Sequence, residues 1–405
     1  MRSTCAALLV LFVASCGCEN CGSRSTNGPG AVARLGDHHM LTAPVTVGNL
    51  TVWPVTTDRP LDLGEFLTLD EALAKGAAEV REVGGAPGVA QSAQSAHVDV
   101  GGVEFEEPAP RSNAAPQQEA GQTFQQEAQT LEQAAQGAVV NTLVIENKGE
   151  LPILVCAGTV VKGGNQDRQI GQDFVLKANS TTPVDAFCVE QGRWTSDRLG
   201  AETGGKFEVL DGMATAKVRS KGQYEKDQGG VWQEVATVKT QVQMSAPVGD
   251  PIDNQEATIL VSSSYAVAFD ANASSEELKA CEEAVKKHFA ARADAVGFAY
   301  AINGKPVAVR TFAHPRLLAK QINDFVRGMG TEALLAKSDA LAKAADAKDV
   351  VAMVERISAA DEQVSATGGL NRNGLRKNDT GYNGTCYVAD GEGKLAPLTQ
   401  DWTAR

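Results

Sequence analysis

Long apolar runs and basic residues are both scarce in this sequence of 405 residues. Beyond the N-terminal segment, no stretch reaches the roughly 18 consecutive apolar residues that a membrane-spanning helix needs. Lys and Arg number 37 against 50 Asp and Glu, which gives a formal net charge of −13. Because nucleic-acid-binding surfaces are basic, this balance argues against a nucleic-acid partner. The sequence predicts a soluble folded part that does not bind nucleic acid.

Motifs of common hydrolases and metal sites are missing as well. The H-E-x-x-H spacing of a zinc site and the G-x-S-x-G elbow of a serine hydrolase do not occur. The few histidines are scattered along the chain, at His38, His39, His97, His288 and His314. We therefore expect no metal site and no other cofactor.

The start of the chain is typical of an export signal. Arg2 supplies a positive charge, an apolar run follows in AALLVLFVAS, and Cys16 comes directly after it. The tetrad VASC resembles a bacterial lipobox, in which residues 1–15 would be a signal peptide and Cys16 would be lipidated. Acyl chains contribute about 0.8 kcal/mol per buried CH₂, so several of them, palmitate for example, anchor a soluble domain to a membrane. An ordinary secretory signal, with Cys16 left as a plain thiol, is the alternative.

The lipobox predicts an exported, lipid-anchored protein of the bacterial cell envelope. Residue 18 is Cys and not Asp, which leaves sorting to the outer membrane open. The outer membrane is therefore the predicted location, and the membrane is a partner only through the anchor. No protein partner can be named from the sequence.

Export into an oxidising compartment makes disulfides plausible for the cysteines beyond the anchor region. These are Cys156, Cys188, Cys281 and Cys386, which allow three pairings. We predict a bridge between Cys281 and Cys386 that fastens the last strand to an earlier helix. Cys188 is predicted to stay reduced.

Composition divides the chain into four segments after the signal. Residues 16–40 are rich in Gly, Ser and Asn and predict a flexible tether. The family-like domain is predicted over residues 41–334, interrupted at residues 84–136 by a low-complexity insertion. The insertion is rich in Ala, Gln, Gly and Pro, which predicts disorder. Residues 335–405 are predicted to hold Ala- and charge-rich helices and a C-terminal strand.

Helix and strand patterns mix without a regular βαβ alternation. Thr68 and Glu71 have the spacing of a capping box and predict a helix of about fifteen residues that reaches Val80. Asn303-Gly304 separates two alternating runs and predicts a tight hairpin, and Pro315 predicts a helix start. The fold class predicted is α+β, with a mixed, mostly antiparallel sheet and flanking helices.

Two further interpretations concern apolar runs. The segments VVNTLVIEN and LPILVCAGTVV are predicted to be paired strands joined by the turn NKGE. The segment EATILVSSSYAVAF is also predicted to be a strand, whereas Val231, Val235, Val238 and Val242 repeat at helical spacing.

Four consecutive motifs resemble one bacterial domain family. They are LTLDEALAKGAAEVREVG, VIENKGELPILVCAG, VKGGNQDRQIGQDFVL and PVDAFCVEQGRW. The family is named for its association with ADP-ribosylglycohydrolase and rhodanese-phosphatase proteins, and its biochemical function is undetermined. The resemblance covers roughly residues 44–330. It implies an α+β domain in the genomic company of proteins that process nucleotide-derived or phosphorylated molecules, which is an association and not a mechanism.

The motifs GGNQDR and CVEQGRW are the specific part of the resemblance. They imply a shared polar set formed by Gln166, Arg168, Cys188, Glu190, Arg193 and Trp194. The chain departs from the family pattern after Gly158, where Thr159 stands in place of an expected acidic residue. If that acid is catalytic in relatives, this chain would bind without catalysis, or do neither.

The same residues suggest an anion site. Arg168 and Arg193 present planar guanidinium groups that could clamp a carboxylate or phosphate. The alternative is that they pair with Glu190 or Asp167 to fix a hairpin. The Gly163-Gly164 pair could form an anion-binding nest of backbone amides, or serve only a turn.

Two residues are catalytic candidates. Glu190 could act as a general acid or base if its surroundings raised its pKa. Cys188 could be a nucleophile if a cationic neighbour such as Arg193 favoured its thiolate. The alternatives are an ion pair for Glu190, and core packing or a bond to Cys156 for Cys188.

The function predicted is binding, with hydrolysis as an extension, of a small anionic molecule that is nucleotide-derived or phosphorylated. The alternative is a non-catalytic structural or protein-interaction module of the cell envelope. The sequence does not decide whether the domain is an enzyme.

Overall fold

A computed structural model describes most of the chain and confirms the α+β class. The described residues are 31–82, 142–193, 195–245, 262–273, 275–337 and 345–405. The signal peptide, Cys16, Trp194 and the predicted insertion at 84–136 lie outside them. Among the described helices, none combines the length and apolarity that crossing a membrane requires.

The first described block contains six strands and one short helix. The strands are β1 (Ala31–Leu35), β2 (His39–Thr42), β3 (Val45–Val47), β4 (Leu50–Thr57), β5 (Leu67–Thr68) and β6 (Ala78–Glu82), and helix α1 (Leu69–Ala74) precedes β6. The predicted capping box is confirmed, since Thr68 and Glu71 each accept a bond from the other's backbone amide. The predicted helix length is wrong. Gly76 adopts a left-handed φ of 64°, which ends the helix and sends Val80 into β6.

The second block contains nine strands. They are β7 (Thr142–Asn147), β8 (Ile153–Val155), β9 (Thr159–Gly163), β10 (Arg168–Ile170), β11 (Phe174–Leu176), β12 (Ser180–Cys188), β13 (Asp197–Arg198), β14 (Ala201–Glu202) and β15 (Phe207–Met213). The predicted pairing of β7 with β8 is wrong, because β7 pairs with β6 and β12 while β8 pairs with β5 and β11. The Asn147 amide donates to the carbonyls of Leu151 and Lys177, which stabilises the turn that leads β8 into another sheet.

Four helices follow: α2 (Ala216–Gln223), α3 (Gln228–Ser245), α4 (Tyr265–Ala273) and α5 (Glu276–Ala290). The helix predicted from the valine repeat is confirmed by α3. The strand predicted for EATILVSSSYAVAF is wrong over residues 265–269, which belong to α4. A short apolar run fits a buried helix as well as a buried strand, so periodicity could not separate the two.

The last described block holds six strands and two helices. It contains β16 (Ala295–Ile302), β17 (Lys305–Phe312), α6 (Pro315–Leu335), α7 (Ala347–Ser358), β18 (Gln363–Ala366), β19 (Arg372–Lys377), β20 (Gly381–Ala389) and β21 (Leu395–Ala404). The Asn303-Gly304 hairpin is confirmed, with φ of 52° and 76° at its two central residues. The helix start at Pro315 is confirmed as well.

A ten-stranded sheet combines strands from the first and the last described blocks. Its strand order is β1-β2-β4-β16-β17-β21-β20-β19-β18, and β3 pairs with β4. Alternate side chains of these strands pack under α5 and α6 on one face and under α7 on the other. Because β17 pairs with β21, the predicted boundary between residues 334 and 335 falls inside one structural unit.

Smaller sheets lie beside the large one. A six-stranded sheet has the order β15-β9-β10-β12-β7-β6, and a three-stranded sheet has the order β11-β8-β5. Their apolar side chains share a core with α1. The amide of Val175 in β11 donates to the Asn371 side chain just before β19, at 2.8 Å, which joins the small sheet to the large one.

The predicted disulfide between Cys281 and Cys386 is not formed in the structure, where both are buried free thiols. Cys281 lies on α5, which packs against α6 and β3. Cys386 lies on β20, four strands away from β4 in the sheet order.

Candidate functional site

The predicted polar residues do come together, at the end of the β9–β10 hairpin and of β12. Strand β10 pairs with both neighbours and places Arg168 opposite Cys188. Asp167, at the start of β10, is fully buried there. We call Asp167, Glu190, Arg193 and Arg198 the Asp167 cluster.

Asp167 is the centre of this cluster. Its Oδ1 accepts from the Gly163 amide at 2.9 Å and from Arg198 Nε at 3.1 Å. Its Oδ2 accepts from Arg198 Nη2 at 3.0 Å and from the Ser264 hydroxyl at 2.6 Å. One buried carboxylate therefore ties the β9–β10 hairpin to β13 and to the start of α4.

Arg193 is bound to internal partners in the same way. Its Nη2 lies 2.7 Å from Glu190 Oε2 and 3.4 Å from Asp167 Oδ1. Its Nη1 donates to the carbonyls of Gly164 at 2.9 Å and Thr195 at 2.8 Å. These contacts occupy Nη1 and Nη2 of the guanidinium group that was predicted to bind an anion.

The Gly163-Gly164 pair serves close packing. The φ angles are 134° and 46°, and added Cβ atoms would lie 2.1 Å from the Lys206 carbonyl oxygen and 2.2 Å from the Phe207 ring. Both amides are already bonded, Gly163 to Asp167 and Gly164 to Lys206. The geometry is that of a tight turn, with its amides directed at the protein.

The two catalytic candidates are buried among internal partners. Glu190 Oε2 accepts from the Asp167 amide at 3.0 Å in addition to its bond with Arg193. Cys188 contacts the side-chain oxygen of Gln166, whose amide donates to the Glu190 carbonyl at 3.2 Å. Burial raises the pKa of the Cys188 thiol to about 11, whereas a cysteine nucleophile needs a lowered pKa.

The remaining predicted positions are placed as follows. Arg168 is buried, and its Nη2 lies 4.0 Å from Glu82 Oε1. Thr159, where the resemblance led us to expect an acid, is buried in β9. Trp194 is outside the described residues.

A cleft elsewhere in the fold has room for a ligand. It has a volume of about 120 Å³, well above the roughly 15 Å³ that one water molecule needs. Its walls are the segment before β11, the C-terminal end of α2 and the strands β18 to β20. None of the predicted site residues lines it.

A buried charge network lies beneath the cleft, formed by Asp173, Arg219, Arg310 and Asp401. Arg310 Nη2 lies 2.6 Å from Asp173 Oδ2, and Arg219 Nη2 lies 3.3 Å from Asp401 Oδ1. Arg310 is fully buried. Burial lowers its pKa, but the surrounding groups, Asp173 foremost and Asp401 among them, together outweigh that effect, so the pKa lies above its ordinary value. We call these four residues the Arg310 network.

Tyr224 connects the network to the cleft wall. Its hydroxyl donates to Asp401 Oδ2 at 2.7 Å, and its ring stacks on Tyr382 with centroids 4.9 Å apart. Burial raises the pKa of the Tyr224 phenol, and the Asp401 carboxylate raises it further. The phenol is therefore neutral at physiological pH and acts as a hydrogen-bond donor.

Like Thr385, whose buried hydroxyl has no partner among the described residues, Gln223 at the end of α2 is a cleft residue with an unpaired polar atom. Its side chain is buried, and its Oε1 has no hydrogen-bond partner among the described residues. Gly384 in β20 provides the space beside it, since an added Cβ would lie 3.1 Å from Gln223 Nε2 and 3.2 Å from the Tyr224 ring. Buried amide oxygens are normally bonded, so this one is an exception.

Sequence reasoning missed the cleft because its walls come from segments about 200 residues apart, such as Asp173 and Asn373. One local signal was present. Arg310 follows the apolar run VAV in the strand KPVAVRTF, and an arginine in such a position requires a buried carboxylate. The sequence could not identify Asp173 as that partner.

Within the described part of the chain, no group of three His, Cys, Asp or Glu side chains is arranged to hold a metal ion. A family model described as ARPP-1, the ARG and Rhodanese-Phosphatase-superfamily-associated Protein domain, matches residues 38–398. The predicted resemblance is confirmed, and the match extends beyond residue 330 through β19 and β20. No curated protein and no solved structure matches the chain.

Proposed function

The chain belongs to the ARPP-1 domain family, and from that premise we propose that it binds a small anionic molecule, phosphorylated or nucleotide-derived, in the cleft. The family is associated by name with proteins of the rhodanese-phosphatase superfamily, which fits a phosphorylated ligand. The observation that carries the proposal is a cleft of about 120 Å³ with Lys226, a cation whose side chain is 46% exposed, in its wall. The proposal covers binding and not hydrolysis, because Glu190 and Cys188 contact internal partners away from the cleft.

Lys226 is the cation that would contact the anionic group. It lines the cleft, and its Nζ lies 3.2 Å from both the Gly171 carbonyl and Asp185 Oδ2. Both side chains of the Lys226–Asp185 pair are nearly half exposed, and exposed pairs contribute only about 0–1 kcal/mol. A phosphate can therefore replace Asp185 as the partner of Lys226 at little cost.

Binding is expected to depend on Lys226. In a thermal-shift screen of nucleotides and sugar phosphates, a ligand at 100 times its Kd stabilises the fold by about 2.7 kcal/mol. The variant Lys226→Asn removes the charge and keeps a residue that tolerates the φ of 52° found there. We expect it to bind about tenfold more weakly, a loss of about 1.4 kcal/mol.

The control for this screen is Lys394→Asn, which removes a side chain that is 75% exposed and does not line the cleft. Its ligand affinity should equal that of the wild type. No shift with any compound, or an equal shift in both variants, would contradict ligand binding at the cleft.

A structural module is the second candidate, and the Asp167 cluster favours it. The cluster's arginines bind internal carboxylates and carbonyls, as expected of residues that fix two strands. Failure of every ligand in the screen would leave this alternative as the account of the domain.

The lipid anchor is proposed separately, on the VASC motif. Strand β1 begins at Ala31, so residues 17–30 can span at most roughly 50 Å when fully extended. That length would let the domain project from a bilayer surface while its acyl chains stay in the leaflet.

Replacement of the anchor cysteine tests this proposal. In a bacterial expression host, Cys16→Ser is expected to lose incorporation of labelled palmitate and to leave the membrane fraction. Cys21→Ser is the matched control and should retain both. Equal palmitate labelling of the two variants would refute the anchor at Cys16.

A further inference from the structure

The two strands at the ends of the ten-stranded order differ in how their edges are protected. Strand β1 has a register shift between Ala31 and Ala33 and carries Arg34. Bulges and charged side chains commonly keep an edge strand from pairing with another chain. Strand β18, at the other end, pairs with β19 in unbroken register and has the uncharged sequence QVSA. The β18 edge therefore has no charge, proline or bulge to block an added strand.

Strand β18 is accessible along most of its length. Gln363, Val364 and Ser365 are exposed, and β19 is its pairing partner among the described strands. In an antiparallel pair, the hydrogen-bonding groups of alternate residues point away from the partner strand. An edge strand thus presents unpaired amides and carbonyls, which an extended peptide can bind as an added strand.

The same strand forms one side of the cleft. Ser365 lines the cleft together with Asn373, its partner in β19, and Lys226 lines it as well. Side chains alternate between the two faces along a strand. A peptide paired with β18 therefore directs every second side chain toward one face of the sheet, and such a side chain beside Ser365 lies next to the cleft.

Lys226 determines which side chain fits there. Its ion pair with Asp185 is nearly half exposed on both sides and therefore weak. The Asp173 carboxylate in the same cleft is paired with the buried Arg310 at 2.6 Å. The accessible charge of the cleft wall is therefore positive at Lys226 and complements a phosphate or a carboxylate.

We propose that the β18 edge binds an extended peptide, and that an anionic side chain of this peptide enters the cleft beside Ser365 and pairs with Lys226. The inference rests on the proposed anion site and adds a second source of the anion, a side chain presented by a peptide. Backbone hydrogen bonds to β18 supply affinity, and the cleft selects the side chain.

Calorimetric titration of the full chain tests the contribution of the β18 edge. The ligands are the capped peptide Thr-Val-phosphoserine-Val-Thr, the same peptide with every backbone amide N-methylated, and phosphoserine capped at both ends. We expect the first peptide to bind about tenfold more tightly than capped phosphoserine, because it adds backbone hydrogen bonds. N-methylation removes the amide donors and should return the affinity to that of capped phosphoserine.

Exchange of the central residue tests the contribution of the cleft. Serine in place of phosphoserine should weaken binding to the wild type about tenfold and should have little effect in Lys226→Asn. Glutamate at this position distinguishes the two sources of charge. Binding equal to that of the phosphopeptide indicates an acidic side chain, and weaker binding indicates a phosphorylated one.

Val364→Pro and Val32→Pro form a matched pair of variants. The two valines lie in the strands at opposite ends of the sheet and are 48% and 53% exposed. Proline lacks an amide donor and disrupts regular pairing of the strand that contains it. Val364→Pro should bind the phosphopeptide only as weakly as capped phosphoserine, and should bind capped phosphoserine normally. Val32→Pro should behave as the wild type.

Three results would overturn the inference and leave the proposed function standing if capped phosphoserine still binds and depends on Lys226. They are equal affinity for the phosphopeptide and its N-methylated form, equal affinity for the serine and phosphoserine peptides, and a dimer in sedimentation that Val364→Pro abolishes. In the last case a second copy of the chain occupies the edge. If neither the peptides nor any compound of the thermal-shift screen binds, the inference and the proposed function fail together.

Discussion

Arg310→Met is expected to lower the free energy of unfolding by about 3–5 kcal/mol, the range for removing one partner of a buried ion pair. Arg310 is fully buried and lies 2.6 Å from Asp173. Methionine fills much of the arginine volume but leaves the Asp173 carboxylate in the interior without its cation. Asp401 also loses a nearby cation, because Arg310 Nη1 lies 3.9 Å from Asp401 Oδ2.

Chemical denaturation of single and double variants measures this effect. Arg310→Met and Asp173→Leu should each be strongly destabilising. The double variant should be less destabilised than their sum, because no unpaired charge remains. Lys394→Met is the control, since its pair with Glu392 has both side chains 75% exposed and should contribute less than about 1 kcal/mol. Equal effects of Arg310→Met and Lys394→Met would refute a structural role for the network.

Asp167→Ala is expected to cost a similar amount, about 3–5 kcal/mol. The change leaves the guanidinium groups of Arg193 and Arg198 without this carboxylate. It also removes the acceptor of the Gly163 amide and of the Ser264 hydroxyl. These partners lie on the β9–β10 turn, β13 and the start of α4, so several contacts between segments weaken together.

Thermal and chemical denaturation of Asp167→Ala give the measurement. Asp361→Ala, at an exposed position, is the control and should change stability by no more than about 0.5 kcal/mol. If Asp167→Ala folds as stably as this control, the cluster is not structural, and its arginines would again be candidates for anion binding.

Local patterns predicted local structure well. The capping box at Thr68, the Asn303-Gly304 turn and the helix start at Pro315 each depend on a few neighbouring residues. Each of these signals involves residues only a few positions apart, so it can be recognised without knowledge of the fold.

The sequence did not predict which strands pair when they lie far apart in the chain. The strands β7 and β8 were recognisable, but their partners depended on contacts with β5, β11 and β12. The pairing of β17 with β21 joins segments about 90 residues apart, and no local signal specifies it. For that reason the C-terminal strands were assigned to a separate region.

The same contrast between local and long-range structure holds for the candidate site. The motifs GGNQDR and CVEQGRW lie close together in the structure because β10 pairs with β12. Their residue types did not reveal that Arg193 would be bonded to Glu190 and three backbone carbonyls. The cleft needed the tertiary structure, since Gln223 and Gly384 have no common sequence motif.

The most direct test uses calorimetry to compare the affinity for a phosphate ligand in two variants. One replaces a lysine and the other an arginine, and each removes one positive charge. The account predicts that Lys226→Asn, at the cleft, weakens binding about tenfold, whereas Arg193→Gln, in the Asp167 cluster, lowers stability and leaves the Kd unchanged. The opposite result, with binding lost in Arg193→Gln and retained in Lys226→Asn, would contradict the assignment of ligand binding to the cleft.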